Sequence, residues 1–347
     1  MALQNTALHK HPLALIAPFF LWGTAMVTMK GAMPHTAPLF VATLRLLPAG
    51  LLVLAAAWAM GRPAVVGWRA WLWVLLFALV DGALFQGFLA LGLVRTGAGL
   101  GSVMIDSQPI AVALLARILF QERIGAWGAV GLALGVGGIS LLGLPDSWFT
   151  AGWAALRSGH EIAALPATGP GLLADWPDLV ERLLGSGEWL MLLAALSMAV
   201  GTVLVRYVSR HCDPVMATGW HMVLAGVVIG GLSLWQEASP WQQLTPSDWL
   251  GLGYASIFGS AIAYGLFFYF ASSRDLTSFT ALTFLTPVFA LLFGNLFLQE
   301  RLTAIQWGGV LITLVSIYIV NQRQALAGWI LSQASVPEES ATDSGHG

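Results

Sequence analysis

Long apolar runs, separated by short polar breaks, dominate the pattern of hydrophobic and polar positions along this chain. A helix needs about 20 apolar residues to cross the hydrocarbon core of a bilayer. Ten runs have about that length, and they cover residues 12–30, 37–60, 70–92, 96–119, 125–143, 188–207, 214–235, 247–271, 276–298 and 303–321. A membrane β-barrel would require apolar and polar residues to alternate at period two, and the runs show no such alternation. The pattern therefore predicts an all-α polytopic membrane protein with ten transmembrane helices.

Composition supports this fold class and excludes several functions. Charged residues make up 9% of the chain and hydrophobic residues 57%, whereas ordinary globular proteins contain about 25% charged residues. The 15 basic and 17 acidic residues nearly balance, so the chain has no excess of positive charge with which to bind a nucleic acid. Cys212 is the single cysteine of the sequence, and no Cys/His metal spacing accompanies it. We therefore expect no disulfide, no metal and no cofactor.

Positive residues beside the runs indicate the orientation, because cytoplasmic loops of membrane proteins carry an excess of Lys and Arg. With the N-terminus inside, the inner side holds nine basic residues: Lys10, Arg62, Arg69, Arg117, Arg123, Arg206, Arg210, Arg274 and Arg323. The outer side holds five: Lys30, Arg95, Arg157, Arg182 and Arg301. This bias predicts a multi-pass protein of the plasma (inner) membrane with both termini in the cytoplasm.

The longest polar break, 144–187, is then an extracytoplasmic insert. Within it, residues 175–178 (DWPD) are typical of a helix start. The apolar residues that follow share one helical face, which predicts a short interfacial helix on the outer membrane surface. At the other end of the chain, the segment 323–347 is expected to be a disordered cytoplasmic tail, because it is polar and rich in Ser and Glu.

An internal repeat relates the two halves of the chain. An offset of 178 residues superposes 119–124 (LFQERI) on 297–302 (FLQERL). The same offset aligns Gly23 with Gly201, Thr24 with Thr202, Gly87 with Gly265 and Pro109 with Pro287. In the second run of each half the offset is 176, and Arg45 falls opposite His221. One offset that serves successive helices indicates a true duplication.

The duplication has a physical consequence. The first repeat, 1–143, and the second repeat, 188–322, each contain five of the apolar runs. Because five is odd, the second repeat enters the membrane with the opposite polarity, and the predicted fold is two inverted five-helix repeats. Inverted repeats are typical of alternating-access transporters, in which the two halves open a midplane site to either side in turn.

Short motifs in each repeat carry a resemblance to a known family. They are Trp22-Gly23-Thr24 through Lys30, Arg45 and the segment from Pro109 to Gln121-Glu122-Arg123, followed in the second half by Thr286-Pro287-Val288 through Gln299-Glu300-Arg301-Leu302. These motifs resemble the EamA domain of the drug/metabolite transporter (DMT) superfamily. The resemblance implies a ten-helix fold in which helices one to four and six to nine line a central cavity. It also implies the movement of small metabolites such as amino acids, often outward. The chain departs from the family pattern at His221, which replaces the second arginine, and in the long insert.

Two carboxylates lie deep within predicted helices. Asp81 and Asp106 are about ten residues into the third and fourth runs, which places them roughly 15 Å from the membrane surface. An ionisable group at that depth costs about 2.5–3.5 kcal/mol, so each needs a reason to be there. One reason is function, because each can carry a proton or bind a substrate ammonium group. The alternative is that a neighbouring polar group satisfies each carboxylate, which then only ties helices together.

Two basic side chains fall within spans at equivalent positions. Arg45 lies roughly 12 Å deep, where it can attract an anionic substrate or pair with an aspartate. Structural pairing and snorkelling to the outer surface are the alternatives. His221 is either a neutral hydrogen-bonding group or a proton relay.

Other residues are candidates for the lining of a cavity or for a hinge. The candidate lining residues are Trp22, Gln86, Gln108, Trp220 and Tyr264. For the aromatic members, packing or interfacial anchoring is the alternative. Pro109 and Pro287 interrupt helical hydrogen bonding at corresponding places, which predicts either a hinge at a midplane site or kinks that serve packing only.

Two further patterns suggest structural roles. Glu122 and Glu300 precede helix starts, whose dipoles an acid complements. In the fifth run the glycines share one face and allow close helix approach; they are Gly128, Gly131, Gly135 and Gly138. That approach is either within the bundle or between the chains of a homodimer.

These observations favour a secondary transporter rather than an enzyme, which exports a small organic metabolite such as an amino acid. Proton coupling through Asp81 or Asp106, exchange and facilitated diffusion are all open as its mode. The absence of a Walker A segment from the sequence excludes ATP hydrolysis by this chain. One alternative is an intramembrane hydrolase that uses Ser140 with His221 as its base. The other is a channel-like or purely structural membrane protein. The expected partners are the substrate and the lipid bilayer.

Overall fold

The computed structural model describes residues 12–95, 104–143, 185–298 and 303–334, and every regular element in these ranges is helical. The α-helices are α1 (Pro12–Ala32), α2 (Pro38–Ala59), α3 (Trp68–Phe77), α4 (Phe85–Leu93), α5 (Gln108–Phe120), α6 (Gly125–Gly143), α7 (Gly187–Val208), α8 (Pro214–Gln236), α9 (Pro246–Ser256), α10 (Ala263–Ala271), α11 (Leu276–Thr280), α12 (Leu285–Leu298) and α13 (Ala304–Ala334). The predicted interfacial helix and Glu300 lie outside the described residues.

Seven helices in the described part of the chain are long and apolar enough to cross a membrane: Pro38–Ala59, Trp68–Leu93, Trp189–Val208, Pro214–Gln236, Pro246–Ala271, Leu276–Phe293 and Ala304–Leu326. Three shorter apolar helices, Leu13–Met29, Gln108–Phe120 and Gly125–Leu141, fall in the remaining predicted runs. The chain is thus an all-helical polytopic membrane protein, as the apolar runs predict.

Local sequence explains where several helices begin. Asp213 precedes α8, and its side chain accepts hydrogen bonds from the amides of Val215 and Met216 at 2.9 and 3.2 Å. At the start of α9, Thr245 and Asp248 form a reciprocal capping box. These side chains satisfy amides that have no acceptor within their own helix, so each start is fixed by a short local motif.

Two π-helical segments interrupt long helices at corresponding places. The first π segment, Ala78–Leu84, joins α3 to α4, and the second π segment, Ile257–Ile262, joins α9 to α10. Each segment contains a buried glycine at which an added Cβ would collide with a neighbouring helix: Gly82 meets Ala225 of α8, and Gly259 meets Ala25 of α1. Such π-helical turns are frequent at functional sites, and here they bring helices of the two halves unusually close.

The two halves of the chain pack reciprocally. Helix α1 packs against α9, the second π segment, α10 and α12, whereas α7 packs against α3, the first π segment, α4 and α5. Helix α2 packs along α8, and α6 packs along α13. Each half therefore supplies elements that the other half buries. A cluster of aromatic side chains, which includes Phe19, Phe77, Phe267 and Phe268, fills the centre between them.

The glycine face of α6 is used within the chain. A Cβ on Gly131 would collide with Val320, and one on Gly138 would lie 2.8 Å from the amide nitrogen of Thr313, both on α13. Of the two readings left open by the sequence, close approach within the bundle is therefore the one that this structure contains. The homodimer contact stays a prediction.

Two proline positions differ from the expected kinks. Helix α5 begins at Gln108, so Pro109 lies in its first turn, and Asp106 lies in the turn that precedes it rather than inside a helix. Pro287 is likewise near the start of α12, which follows a 3₁₀ segment at Ala281–Phe284. Proline is well tolerated in a first turn because no amide hydrogen bond is needed there. Pro109 therefore marks a helix start, whereas Pro287 follows the 3₁₀ turn inside the continuous span Leu276–Phe293, and the hinge role of both prolines stays a prediction.

Two further expectations need correction. Helix α13 continues to Ala334, so residues 323–334 are helical where disorder was expected, because Gln, Arg, Ala and Leu are good helix formers. Glu122 does not serve the helix that follows it. Its carboxylate accepts hydrogen bonds from the amides of Leu276 and Thr277 at 3.1 and 3.2 Å, and so caps α11.

Candidate functional site

A buried carboxylate and a buried imidazole meet between the two halves of the chain. Asp81 comes from the first π segment and His221 from α8. Asp81 Oδ2 lies 3.3 Å from His221 Nε2. The other ring nitrogen, Nδ1, lies 2.6 Å from the carbonyl oxygen of Thr218. A carbonyl only accepts hydrogen bonds, so Nδ1 carries a proton and Nε2 is the nitrogen that faces the carboxylate.

Apolar surfaces close around this pair. Phe77 stacks on the imidazole with ring centroids 4.2 Å apart, and Phe268 meets it edge-on at 5.4 Å. Helix α7 contributes Gly201, where an added Cβ would collide with the Asp81 side chain. Neither Oδ1 nor Oδ2 of Asp81 has a hydrogen-bond partner among the described residues, so Oδ2 and His221 Nε2 are in close contact without a hydrogen bond. Because both side chains are almost fully buried, neither can carry an uncompensated charge without a large cost in free energy.

A second contact joins equivalent positions of the two halves. Gln86 Nε2 of α4 donates a hydrogen bond to Tyr264 Oη of α10 at 2.7 Å, and the two residues are 178 positions apart, the offset of the repeat. Trp22 of α1 packs on Tyr264 with ring centroids 5.1 Å apart. Its indole nitrogen has no hydrogen-bond partner in the described part of the chain. This aromatic and amide cluster presents one free donor at the centre of the protein.

Arg45 is a buried cation without an acidic partner among the described residues. The side chain is 8% exposed, and its Nε makes no hydrogen bond there. The Arg45 carbonyl accepts a hydrogen bond from Ser256 Oγ of α9 at 3.4 Å, and α2 packs on the second π segment, which leads into the helix that carries Tyr264. Arginine stays protonated in proteins, and a buried guanidinium therefore needs an anion.

The repeat explains why Arg45 and His221 differ. Helix α8 packs on the first π segment, which carries Asp81, and helix α2 packs on the second π segment in the same way. At the position equivalent to Asp81 the second π segment has Gly259, and its sequence, IFGSAI, contains no acid. His221 thus has a carboxylate to face, whereas its counterpart Arg45 does not.

The remaining predicted residues lie outside this centre. Gln108 Nε2 donates to Thr202 Oγ1 at 3.3 Å, while its amide oxygen has no partner within the described ranges. Asp106 is buried in the turn before α5 and does not join the contact between Asp81 and His221. Trp220 is half-buried and packs edge-to-face on Trp71 at 5.1 Å, which fits its alternative role in packing.

The site is closed in this conformation. The polar and aromatic side chains of the centre are all buried: Trp22, Arg45, Asp81, Gln86, His221 and Tyr264. A groove of about 560 Å³ lies elsewhere, between α2 and α9, and is lined by apolar residues such as Leu51 and Trp249. Several of these side chains are exposed on the apolar outer surface, so the groove faces lipid rather than the centre.

Sequence reasoning selected both members of the Asp81–His221 contact as candidates but did not predict the contact. It also missed two groups that define the contact. Gly201 was visible as a repeated glycine, which was a signal for close packing, but not for packing on a carboxylate. No feature of the sequence could have predicted the Thr218 carbonyl as an acceptor, because every residue type supplies a backbone carbonyl.

The hydrolase alternative does not fit the geometry. The Ser140 hydroxyl donates to the Val136 carbonyl of its own helix at 2.7 Å. Both ring nitrogens of His221 face Thr218 and Asp81. The proposed Ser140–His221 dyad is therefore not formed.

Comparison with known proteins agrees with this architecture. Residues 10–144 and 185–322 both match the EamA-like transporter family. The chain belongs to that family and is a multi-pass membrane transporter. The two matched segments correspond to the two halves that the repeat defines.

Named relatives support the same class. An uncharacterized transporter of Synechocystis sp., sll0355, is 59% identical over 316 residues, which cover 90% of each chain. The WAT1-related protein At3g02690, chloroplastic, of Arabidopsis thaliana is 50% identical over 88% of this chain and 68% of its own. The uncharacterized inner membrane transporter YedA of Escherichia coli (strain K12) is 26% identical over 89% of both chains.

A solved structure shares the fold. One crystal structure superposes on this chain with a TM-score of 0.68 and 16% sequence identity, over 93% of this chain and 98% of the other. At that identity the likeness concerns the arrangement of helices alone.

Proposed function

We propose that this chain is a secondary transporter that exports a small organic metabolite with a carboxylate group, such as an amino acid. It works by alternating access between two inverted five-helix repeats in the plasma (inner) membrane, with both termini in the cytoplasm. The observation that carries the substrate class is Arg45, a buried guanidinium that has no acidic partner among the described residues. A substrate carboxylate supplies the missing anion in bidentate geometry.

The reciprocal packing of the halves supports the alternating-access part of the proposal. Helix α1 contacts the second half as α7 contacts the first, and Gln86 bonds to its own equivalent, Tyr264. A pair of equivalent residues in direct contact is expected where a pseudo-two-fold axis passes. In a transporter built from inverted repeats, the two halves exchange conformations about such an axis and open a shared site to either side.

The aromatic cluster gives the site its second recognition element. Trp22 and Tyr264 offer flat apolar faces beside Arg45, and the free indole N–H of Trp22 is a further donor. Ligand sites in proteins combine a mostly apolar lining with a few placed polar groups. The closed conformation described above corresponds to an occluded step of the cycle, in which neither membrane side reaches these groups.

A competition screen on purified protein in proteoliposomes tests this function. Uptake of a radiolabelled mixture of twenty amino acids is measured against an excess of single unlabelled metabolites, which differ in the presence of a carboxylate. The proposal expects saturable uptake that carboxylate-bearing compounds inhibit and that their amides or esters do not. Equal inhibition by acids and amides would remove the assigned role of Arg45, and unsaturable flux would favour the channel alternative.

A further inference from the structure

We propose that Asp81 and His221 together form a binding site for one proton, and that the protein couples substrate movement to the loading of this site. The coupling rests on the proposed transport function, whereas the proton site itself does not. The two residues come from different halves of the chain, since Asp81 lies in the first repeat and His221 in the second. A proton bound between them therefore strengthens or weakens the contact between the two halves.

The hydrogen-bond geometry fixes the proton count. One proton of the imidazole is on Nδ1, where it is donated to the Thr218 carbonyl at 2.6 Å. With one further proton, the pair is either a carboxylate facing an imidazolium or a carboxylic acid facing neutral Nε2, and in both forms a donor faces an acceptor across the 3.3 Å that separates Oδ2 from Nε2.

Without that further proton, the arrangement has no donor. The lone pair of Nε2 then faces a carboxylate oxygen, and the buried carboxylate keeps an uncompensated negative charge. Two acceptors in contact repel each other, and a buried unpaired ion carries a desolvation penalty. Loading with a proton therefore stabilises this close contact, and proton release favours a rearrangement in which the carboxylate finds water or another donor.

The surroundings leave few other groups to serve as that donor. Helix α3 presents Phe77, α7 presents Gly201, and α10 presents Phe268 against the pair. In the described part of the chain, the other charged or titratable side chains buried in this centre are Arg45 of α2 and Tyr264 of α10, and Phe268 packs against both Tyr264 and His221, with ring centroids 5.9 and 5.4 Å apart. Both belong to the candidate substrate site, which connects the state of the carboxylate to the occupancy of that site.

This connection gives a simple coupling scheme. When the pair releases its proton to water on the side where the site is open, one O–H or N–H bond breaks and the net charge of the pair falls from zero to minus one. The negative charge that remains on Asp81 then repels a substrate carboxylate in the same buried centre. Proton binding to the pair removes this repulsion, and the two events become linked in one cycle.

Nuclear magnetic resonance of the histidine rings tests the proton site without any substrate. The full chain, labelled with ¹⁵N at its seven histidines, is placed in lipid nanodiscs, and the ring signals are followed between pH 5 and pH 10. A His221→Gln variant assigns the signal. We expect His221 to keep a proton on Nδ1 throughout, and its Nε2 signal to change in one step, as the proton leaves either Nε2 or the facing carboxyl group, that disappears in Asp81→Asn. The amide of Asn imitates the protonated acid, so this variant is expected to fold.

Two results would overturn the site. One is a neutral ring protonated on Nε2, because it contradicts the Thr218 hydrogen bond. The other is a titration of His221 that Asp81→Asn leaves unchanged, because the two groups would then not share a proton. The exposed His211 serves as the internal reference for an independent histidine.

Proton flux tests the coupling. Proteoliposomes contain a trapped pH-sensitive dye, and the labelled mixture of twenty amino acids is added outside. Wild-type protein is expected to move protons with the substrate, and Asp81→Asn to reduce that proton flux at least tenfold while exchange of labelled for unlabelled amino acids continues. Asp248→Asn, which alters a buried carboxylate that caps α9, is the matched control and keeps wild-type proton flux.

The outcomes separate the two proposals. Unchanged proton flux in Asp81→Asn contradicts the coupling, while saturable transport by the same protein would leave the proposed function standing. Conversely, a wild-type protein that moves no amino acid contradicts the proposed function, and the ring signals of His221 then decide the proton site by themselves.

Discussion

Gln86 and Tyr264 occupy equivalent positions in the two halves of the chain and are hydrogen-bonded to each other at 2.7 Å. Both side chains are buried, so neither has water as an alternative partner. The contact therefore ties α4 of the first half to α10 of the second at the centre of the protein, and it lies next to Trp22 and the Asp81–His221 pair.

The first prediction concerns this hydrogen bond. Tyr264→Phe leaves the Gln86 amide unsatisfied, which is expected to destabilise the fold by about 1–3 kcal/mol. Gln86→Leu in the same background removes the orphaned group and is expected to restore part of that loss. Unfolding by denaturant in detergent micelles, arranged as a double-mutant cycle, measures the coupling. Strictly additive effects of the two changes would mean that the hydrogen bond contributes nothing.

The second prediction concerns Arg45. Arg45→Gln removes the charge that receives the substrate carboxylate, and we expect the transport efficiency for carboxylate substrates to fall at least tenfold, which corresponds to about 1.4 kcal/mol. Initial rates over a range of substrate concentrations separate binding from turnover. Arg69→Gln is the matched control, because Arg69 is exposed beside Trp68 at the start of α3. An equal fall in both variants would contradict a specific role for Arg45.

The third prediction concerns the space beside Asp81. Gly201→Ala would place a Cβ against the Asp81 side chain, and overpacking of this kind destabilises by about 1–3 kcal/mol. It is also expected to disturb the His221 ring signals. Gly87→Ala is the control, since a Cβ at Gly87 meets nothing within 4 Å and alanine favours a helix. Thermal unfolding of the two variants compares them, and equal stability would show that Asp81 is not tightly enclosed by α7.

The helices could be predicted from the sequence because the thickness of a bilayer fixes the length of an apolar run. Arg45 and His221 were recognisable as ionisable groups at equivalent positions of the repeat, and Gln86 and Tyr264 were recognisable as candidates for the lining of a cavity. The pairing of Asp81 with His221 could not be predicted in the same way. It depends on the π segment that carries Asp81 and on close helix approach at small residues, which an apolar pattern does not report.

The start of α5 shows a different reason for failure. The prediction of a kinked helix around Pro109 treated the fourth run as continuous, whereas a turn at Asp106 and Ser107 precedes the helix. The chemistry of proline was read correctly, but the same chemistry suits a first turn as well as a kink. Only the path of the backbone distinguishes the two.

The fourth prediction is a pH dependence at the end of the bundle. Burial alone would raise the pKa of Asp275, but hydrogen bonds from Ser278 and the ion pair with Arg323, 2.9 Å away, lower its pKa below the ordinary value. A lowered folded-state pKa contributes stability that is fully present above the unfolded value of about 3.9 and is lost as the pH falls through the folded value.

Thermal unfolding between pH 6 and pH 3 checks this sign. Wild-type protein is expected to lose more stability over this window than Asp275→Asn, which has no carboxyl to protonate. Arg323→Gln keeps the carboxyl but removes its charged partner, so it should also show a weaker acid dependence. Parallel curves for all three proteins would contradict the contribution of this ion pair.

Counterflow in proteoliposomes tests the central claim, that two halves enclose one substrate site and open it to either side in turn. Vesicles are loaded with an unlabelled amino acid that competes in the screen, and entry of the same labelled compound is followed at trace concentration. The account predicts that entry saturates and that the unlabelled compound inside accelerates it. The reason is that the single site carries an unlabelled molecule outward and then returns inward with a labelled one. Entry that rises linearly with concentration and is indifferent to the internal compound would contradict an alternating-access carrier.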